Sequence, residues 1–122
     1  MKKKKILVVE DHENLLELES IFLSSHGYEV KGVKDGLAAL DAVAELHPDL
    51  VILDIGLPEV DGYEVCRRIK SREETRHIPV IMITARKSRE DLLKIEEVGA
   101  DWYIPKPFKS AMVIETIRRF LP

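Results

Sequence analysis

Five residues carry groups suited to chemistry on a charged oxygen centre: Glu10, Asp11, Asp54, Thr84 and Lys106. Each closes, or follows closely on, a short apolar run. Three carboxylates gathered without a counter-ion would repel one another and raise each other's pKa. A hard divalent cation removes that conflict, and all-oxygen carboxylate ligation suits Mg2+ far better than zinc. Mg2+ usually keeps waters and recruits phosphate oxygens, so a phosphoryl group is its natural companion. Lys106 offers such oxygens a point positive charge and Thr84 a hydroxyl donor. Asp54 could then act as a carboxylate nucleophile, since aspartyl phosphates are a known covalent intermediate type.

These residues are far apart in the chain, so the fold must gather them. Apolar, β-rich runs occur at Ile6–Val9, Tyr28–Val33, Leu50–Leu53, Ile78–Thr84 and Trp102–Ile104. Helical spacing fills the intervals. Leu15, Leu16, Leu18, Ile21 and Phe22 mark a first helix that stops at Gly27. Leu37, Leu40, Val43, Ala44 and Leu46 mark a second, capped by Asp35 and ended by Pro48. Tyr63, Val65, Cys66 and Ile69 mark a third, and Leu92, Leu93, Ile95 and Val98 a fourth. Met112, Val113, Ile117, Phe120 and Leu121 mark a fifth. Five strand–helix pairs in strict alternation predict an α/β domain with a parallel sheet and helices on both faces. Three runs lack polar alternation, as strands covered on both sides do; Tyr28–Val33 mixes the two and reads as an edge. In such a sheet all C-terminal strand ends share one edge, where open α/β folds bind ligands.

The 122 residues fit one domain, and the elements use up the whole chain, so no separate output domain is expected. With 19 Lys and Arg against 22 Asp and Glu, the formal charge is −3, which argues against direct DNA binding. Cys66 is the single cysteine, so no internal disulfide or multi-cysteine metal site is expected. No run approaches the roughly 20 apolar residues that span a bilayer, and a cytoplasmic setting is expected.

The acidic pair Glu10-Asp11, the segment Asp54-Ile55-Gly56-Leu57-Pro58-Glu59-Val60-Asp61-Gly62-Tyr63, the pair Thr84-Ala85 and Lys106-Pro107-Phe108 together resemble the response-regulator receiver domains of two-component signalling. The resemblance covers essentially all of residues 1–122, and it implies a CheY-like fold with strand order 2-1-3-4-5. It implies that Asp54 is the phosphoacceptor for a phosphohistidine on a sensor histidine kinase or phosphotransfer protein. Glu10, Asp11 and Asp54, with the backbone carbonyl of Gly56, would hold Mg2+ or Mn2+. Lys106 would pair with the phosphoryl group, and the Lys106–Pro107 peptide would be cis. Thr84 would be the switch hydroxyl, Tyr103 the switch aromatic, and Ala85 the small residue that leaves the phosphate approachable. The fourth helix, fifth strand and fifth helix would present the readout face to a downstream protein target or output domain, and dimerisation through that face is a family habit. Such a domain is no enzyme beyond promoting its own phosphorylation and dephosphorylation at Asp54.

Two positions depart from the commonest pattern. Glu10 stands where Asp is more usual, and metal binding is expected to survive the extra methylene. Ile55-Gly56 follows the phosphoacceptor where bulkier or polar residues are common.

Other readings compete. Asp11 could merely cap the first helix. Trp102 could pack beneath a helix, which is slightly favoured, or stand exposed as a partner contact. Lys2–Lys5 reads as a solvated flank, and His12, His26, His47 and His77 as surface residues without ligand spacing, although His12 stands next to the acidic pair and could tune it. A Mg2+-dependent phosphohydrolase would need a second carboxylate two residues beyond its nucleophile, and Gly56 stands there. A phosphorylation-independent scaffold, or a receiver excised from a hybrid kinase or multidomain regulator, are the further alternatives. Neither a P-loop nor a GxGxxG turn is present for nucleotide binding.

Overall fold

The computed structural model describes residues 2–57, 60–85, 88–107 and 109–122. Its strands are β1 (Lys5–Val9), β2 (Glu29–Val33), β3 (Leu50–Asp54), β4 (Val80–Thr84) and β5 (Trp102–Pro105). They alternate with helices α1 (Glu13–Ser25), α2 (Gly36–Leu46), α3 (Gly62–Ser71), α4 (Arg89–Glu97) and α5 (Ser110–Phe120). Every strand pairing is parallel, in the order β2-β1-β3-β4-β5, so the expected topology is found and β2 is an edge.

Alternate strand residues feed two separate cores. Leu7, Val9, Val51, Leu53, Val80 and Met82 pack with α2, α3 and α4. Ile6, Val8, Leu50, Ile52, Ile81 and Ile83 pack with α1 and α5. Both faces are therefore covered, which is why these strands carry apolar residues at every position. Burying one such side chain contributes roughly 1.5–3 kcal/mol.

The helix faces differ from expectation in detail. On α1 the buried residues are Leu16 and Leu23, while Leu18 and Ile21 are more than half exposed. On α2 the small residues Gly36, Ala39 and Ala42 are buried with Val43, and Leu37 and Leu46 turn outward. Leu93 and Met112 are likewise exposed. Apolar spacing alone does not show which positions lie nearest the sheet, and a helix lying close on a sheet puts small residues at its tightest contacts. The fourth strand starts at Val80 rather than Ile78, because Pro79 has no N–H to give a ladder.

The helix ends follow the local chemistry. Asp35 caps α2 by accepting from the Ala38 N–H at 2.8 Å. Gly27, with φ +93°, follows α1 in the left-handed region as expected for a C′ residue. The α2 C-cap is His47, itself left-handed at φ 45°, immediately before Pro48. Cys66 is fully buried on α3, and burial pushes its thiol up to about 12, as expected of a small core residue.

Candidate functional site

The C-terminal edge of the sheet gathers the polar residues. Glu10 extends the β1–β2 ladder by donating its N–H to the Val33 carbonyl at 3.0 Å, and its side chain is buried. Its Oε2 accepts from the His12 N–H at 3.1 Å, which anchors the carboxylate over the turn into α1. The α1 N-cap is His12, with no side-chain capping bond, so the capping role weighed for Asp11 is not used. The Asp11 carboxylate is one-third exposed beside it.

Asp54 ends β3 and is buried. Its Oδ1 accepts from the Gly56 N–H at 3.1 Å, and its Oδ2 from the Lys106 ammonium at 3.1 Å. Lys106 also stands 4.0 Å from Glu10 Oε1, so one ammonium bridges carboxylates from two strands. It is held there by its own backbone, whose N–H donates to the Thr84 carbonyl at 2.7 Å. The Lys106–Pro107 peptide is cis, as the resemblance implied.

Thr84 lies buried at the end of β4, in register with Pro105 of β5. Ala85 follows it, exposed at the mouth of the site. Tyr103, paired with Met82, is 41% exposed on the outside of β5. Trp102 is also exposed, at 47%, with the Arg119 guanidinium 5.5 Å from its ring centre. The slightly favoured expectation of a Trp buried beneath a helix therefore fails. An edge strand with a single neighbour leaves its outer residues uncovered, and α5 meets the indole with a charged residue. Pro58, Glu59, Arg86 and Phe108 lie outside the described residues.

Electrostatics set Glu10 apart. Burial raises its pKa most, and the negative charge of Asp54 adds to that; the His12 N–H, the His12 ring and Lys106 pull it back. Among the described residues the donor set is thus carboxylate oxygens in excess of the one ammonium that faces them, and it fits a hard divalent cation.

One residue escaped the sequence reading. Glu19 lines a groove of about 590 Å3 between α1 and α5, beside Lys106 and Ala85, and burial pushes its carboxyl up to about 7. The signal was available: Glu19 falls at helical spacing between Leu15 and Leu23. His12 is exposed, as expected, yet its Nδ1 lies 3.2 Å from Glu10 Oε2 and 3.4 Å from Asp11 Oδ1. Spacing along the chain could not show this, because it depends on how the turn folds back.

Comparison with known proteins agrees with this geometry. A family model described as the response regulator receiver domain matches residues 6–118. The polar-differentiation response regulator DivK of Brucella ovis is 43% identical over 118 residues, covering 97% of this chain and 96% of that protein. The signal receiver domain of a signal transduction histidine kinase from Syntrophus aciditrophicus is 36% identical, with TM-score 0.92, over 97% of this chain and 89% of that one. A receiver domain of a sensor histidine kinase from Pseudomonas aeruginosa, solved with a magnesium ion coordinated in its active-site cleft, is 32% identical. Its TM-score is 0.90 over 98% of both chains. Fold, strand-end residues and relatives converge, and the chain belongs to the response regulator receiver domains of two-component signalling.

Proposed function

We propose that the chain accepts a phosphoryl group on Asp54 from the phosphohistidine of a sensor kinase or phosphotransfer protein, and thereby changes which partner it binds. The observation that carries this is the Lys106 ammonium, 3.1 Å from Asp54 Oδ2 and 4.0 Å from Glu10 Oε1. It marks where negative charge gathers at the sheet edge.

An Asp54 oxygen attacks phosphorus, the bond to the donor imidazole breaks, and the released imidazole nitrogen keeps the electron pair. Lys106 loses its partner on Asp54 and takes a phosphoryl oxygen instead. Gly56, through its N–H, holds the other carboxylate oxygen in line. Glu10, Asp11, Asp54 and the Gly56 carbonyl are the groups that would hold Mg2+ or Mn2+, which supplies positive charge to the transferring oxygens. Ala85, small and exposed, leaves room for the donor to approach. The protein turns over nothing else, so it is no enzyme in the ordinary sense.

Phosphorylation adds between about one and a half and two negative charges and three acceptor oxygens. Thr84, buried at the end of β4, is the hydroxyl that answers them, and its movement opens space that Tyr103, now outside, can enter. The readout surface is α4, β5 and α5, where Leu93, Trp102, Tyr103 and Met112 are already exposed. A downstream protein, an output domain or a second copy would bind there.

The test is intact-protein mass after incubation with acetyl phosphate, with and without Mg2+. One phosphoryl adduct that forms only with Mg2+, and not in Asp54→Asn, supports the reading. A folded chain that takes no adduct would favour the scaffold alternative.

A further inference from the structure

The Glu10–Asp11 pair has a third donor beside it. His12 Nδ1 lies 3.2 Å from Glu10 Oε2 and 3.4 Å from Asp11 Oδ1, and the three groups offer ligand atoms all within 4.8 Å of one another. Asp54 is engaged elsewhere, with Lys106 and the Gly56 N–H. The Glu10 side chain is almost wholly buried, and the His12 side chain is 75% exposed. The set therefore runs from the interior to the solvent, with His12 at Glu10 Oε2 while Lys106 stands 4.0 Å from Oε1.

We propose that His12 turns the Glu10–Asp11 pair into a mixed nitrogen and oxygen site for a borderline divalent cation of the zinc class, in competition with Mg2+. The inference rests on reading Glu10 and Asp11 as the cation-binding pair. Carboxylates alone favour Mg2+ and Mn2+, whereas imidazole suits zinc, nickel and copper, and affinities for nitrogen ligands rise along that series. The spacing agrees. Tetrahedral ligands at about 2.0–2.1 Å from zinc stand roughly 3.3 Å apart. Octahedral ligands at about 2.0–2.1 Å from Mg2+ stand only roughly 2.9 Å apart. The two nitrogen–oxygen separations, 3.2 and 3.4 Å, lie near the first value, and the remaining carboxylate pair stands within 4.8 Å, close enough for small side-chain rotations to close all three on one ion. A zinc-class ion there occupies both carboxylates that Mg2+ needs, so the two ions exclude each other.

The bland alternative is that the imidazole only hydrogen-bonds Glu10 and steadies it. That role predicts equal weakening of both ions when the ring is removed. The experiment uses the full chain as wild type, His12→Ala and Asp11→Asn, with folding checked by circular dichroism. Zn2+ affinity is read by competition with a chromophoric chelator, Mg2+ affinity by calorimetry, and ligand geometry by the visible absorption of bound Co2+. His12→Ala is expected to weaken Zn2+ at least about tenfold and to abolish the tetrahedral Co2+ bands, with Mg2+ affinity held within about twofold. Zn2+ affinity indifferent to His12, or Zn2+ and Mg2+ falling together, overturns the proposal. Mg2+ binding that ignores Asp11→Asn fails the underlying cation-pair reading instead, and the Asp11→Asn arm shows this separately from the His12→Ala arm.

Discussion

A Cβ placed on Gly62 would stand 2.5 Å from the carbonyl oxygen of Asp54 and 2.6 Å from the Ile55 Cα. The first residue of α3 is thus pressed against the backbone of Asp54, the proposed phosphoacceptor. Gly62 also donates its N–H to the Ile55 carbonyl at 3.0 Å, and Asp61 caps the helix by accepting from the Glu64 N–H. Gly62→Ala must move backbone rather than a side chain. We expect it to destabilise the fold by about 1–3 kcal/mol and to slow phosphorylation. Gly56→Ala is the control, because its Cβ would meet nothing closer than 3.9 Å. Urea midpoints and the rate of adduct formation for both variants check this.

Glu19 makes stability depend on pH. Its carboxyl is raised from 4.5 to about 7, so its folded state favours the protonated form. Its contribution is complete below pH 4.5 and is lost as pH rises through about 7. Glu19→Gln is expected to be more stable than wild type above pH 7, by on the order of 1–3 kcal/mol, with the difference vanishing below pH 4.5. Urea denaturation of both proteins from pH 4 to 8 reads the difference directly.

Mg2+ should stabilise the fold by binding only its native state. At a hundredfold excess over its dissociation constant the gain is about 2.7 kcal/mol. Asp11→Asn is expected to lose most of that gain while keeping its metal-free stability, since Asp11 is partly exposed and does not cap α1. The shift in urea midpoint on adding Mg2+ is the measurement.

Trp102 is placed to report the proposed switch. It shares β5 with Tyr103 and lies under the Arg119 guanidinium of α5. Phosphorylation of the wild type is expected to change its fluorescence. Thr84→Ala should still take the phosphoryl group on Asp54 and lose most of the fluorescence change, because the hydroxyl proposed to link phosphate to β5 is gone. An unchanged response in Thr84→Ala would remove Thr84 from the switch.

How much of this could be read before the structure depends on which forces decide each feature. β3 and β4 were legible because burial on both faces demands an unbroken apolar run, and Asp54 and Thr84 were then placed by their position at strand ends. Asp35 and Gly27 were legible because a cap and a left-handed φ are local requirements. Leu18, Ile21, Leu37 and Trp102 were misjudged, since exposure depends on which neighbour arrives and how near it lies. The place of His12 beside the acidic pair was legible, but the contact of its ring with both carboxylates was not, because that comes from the turn before α1.

The central claim is that Asp54, among the three carboxylates at the sheet edge, takes the phosphoryl group. Borohydride reduces an aspartyl phosphate to homoserine, which leaves a stable mark at the modified residue. We would phosphorylate the chain in Mg2+, reduce it and map the peptides by mass. Homoserine at position 54 alone is the predicted result. A mark at Asp11 in place of position 54, or reduction at neither although an adduct had formed, would contradict the account.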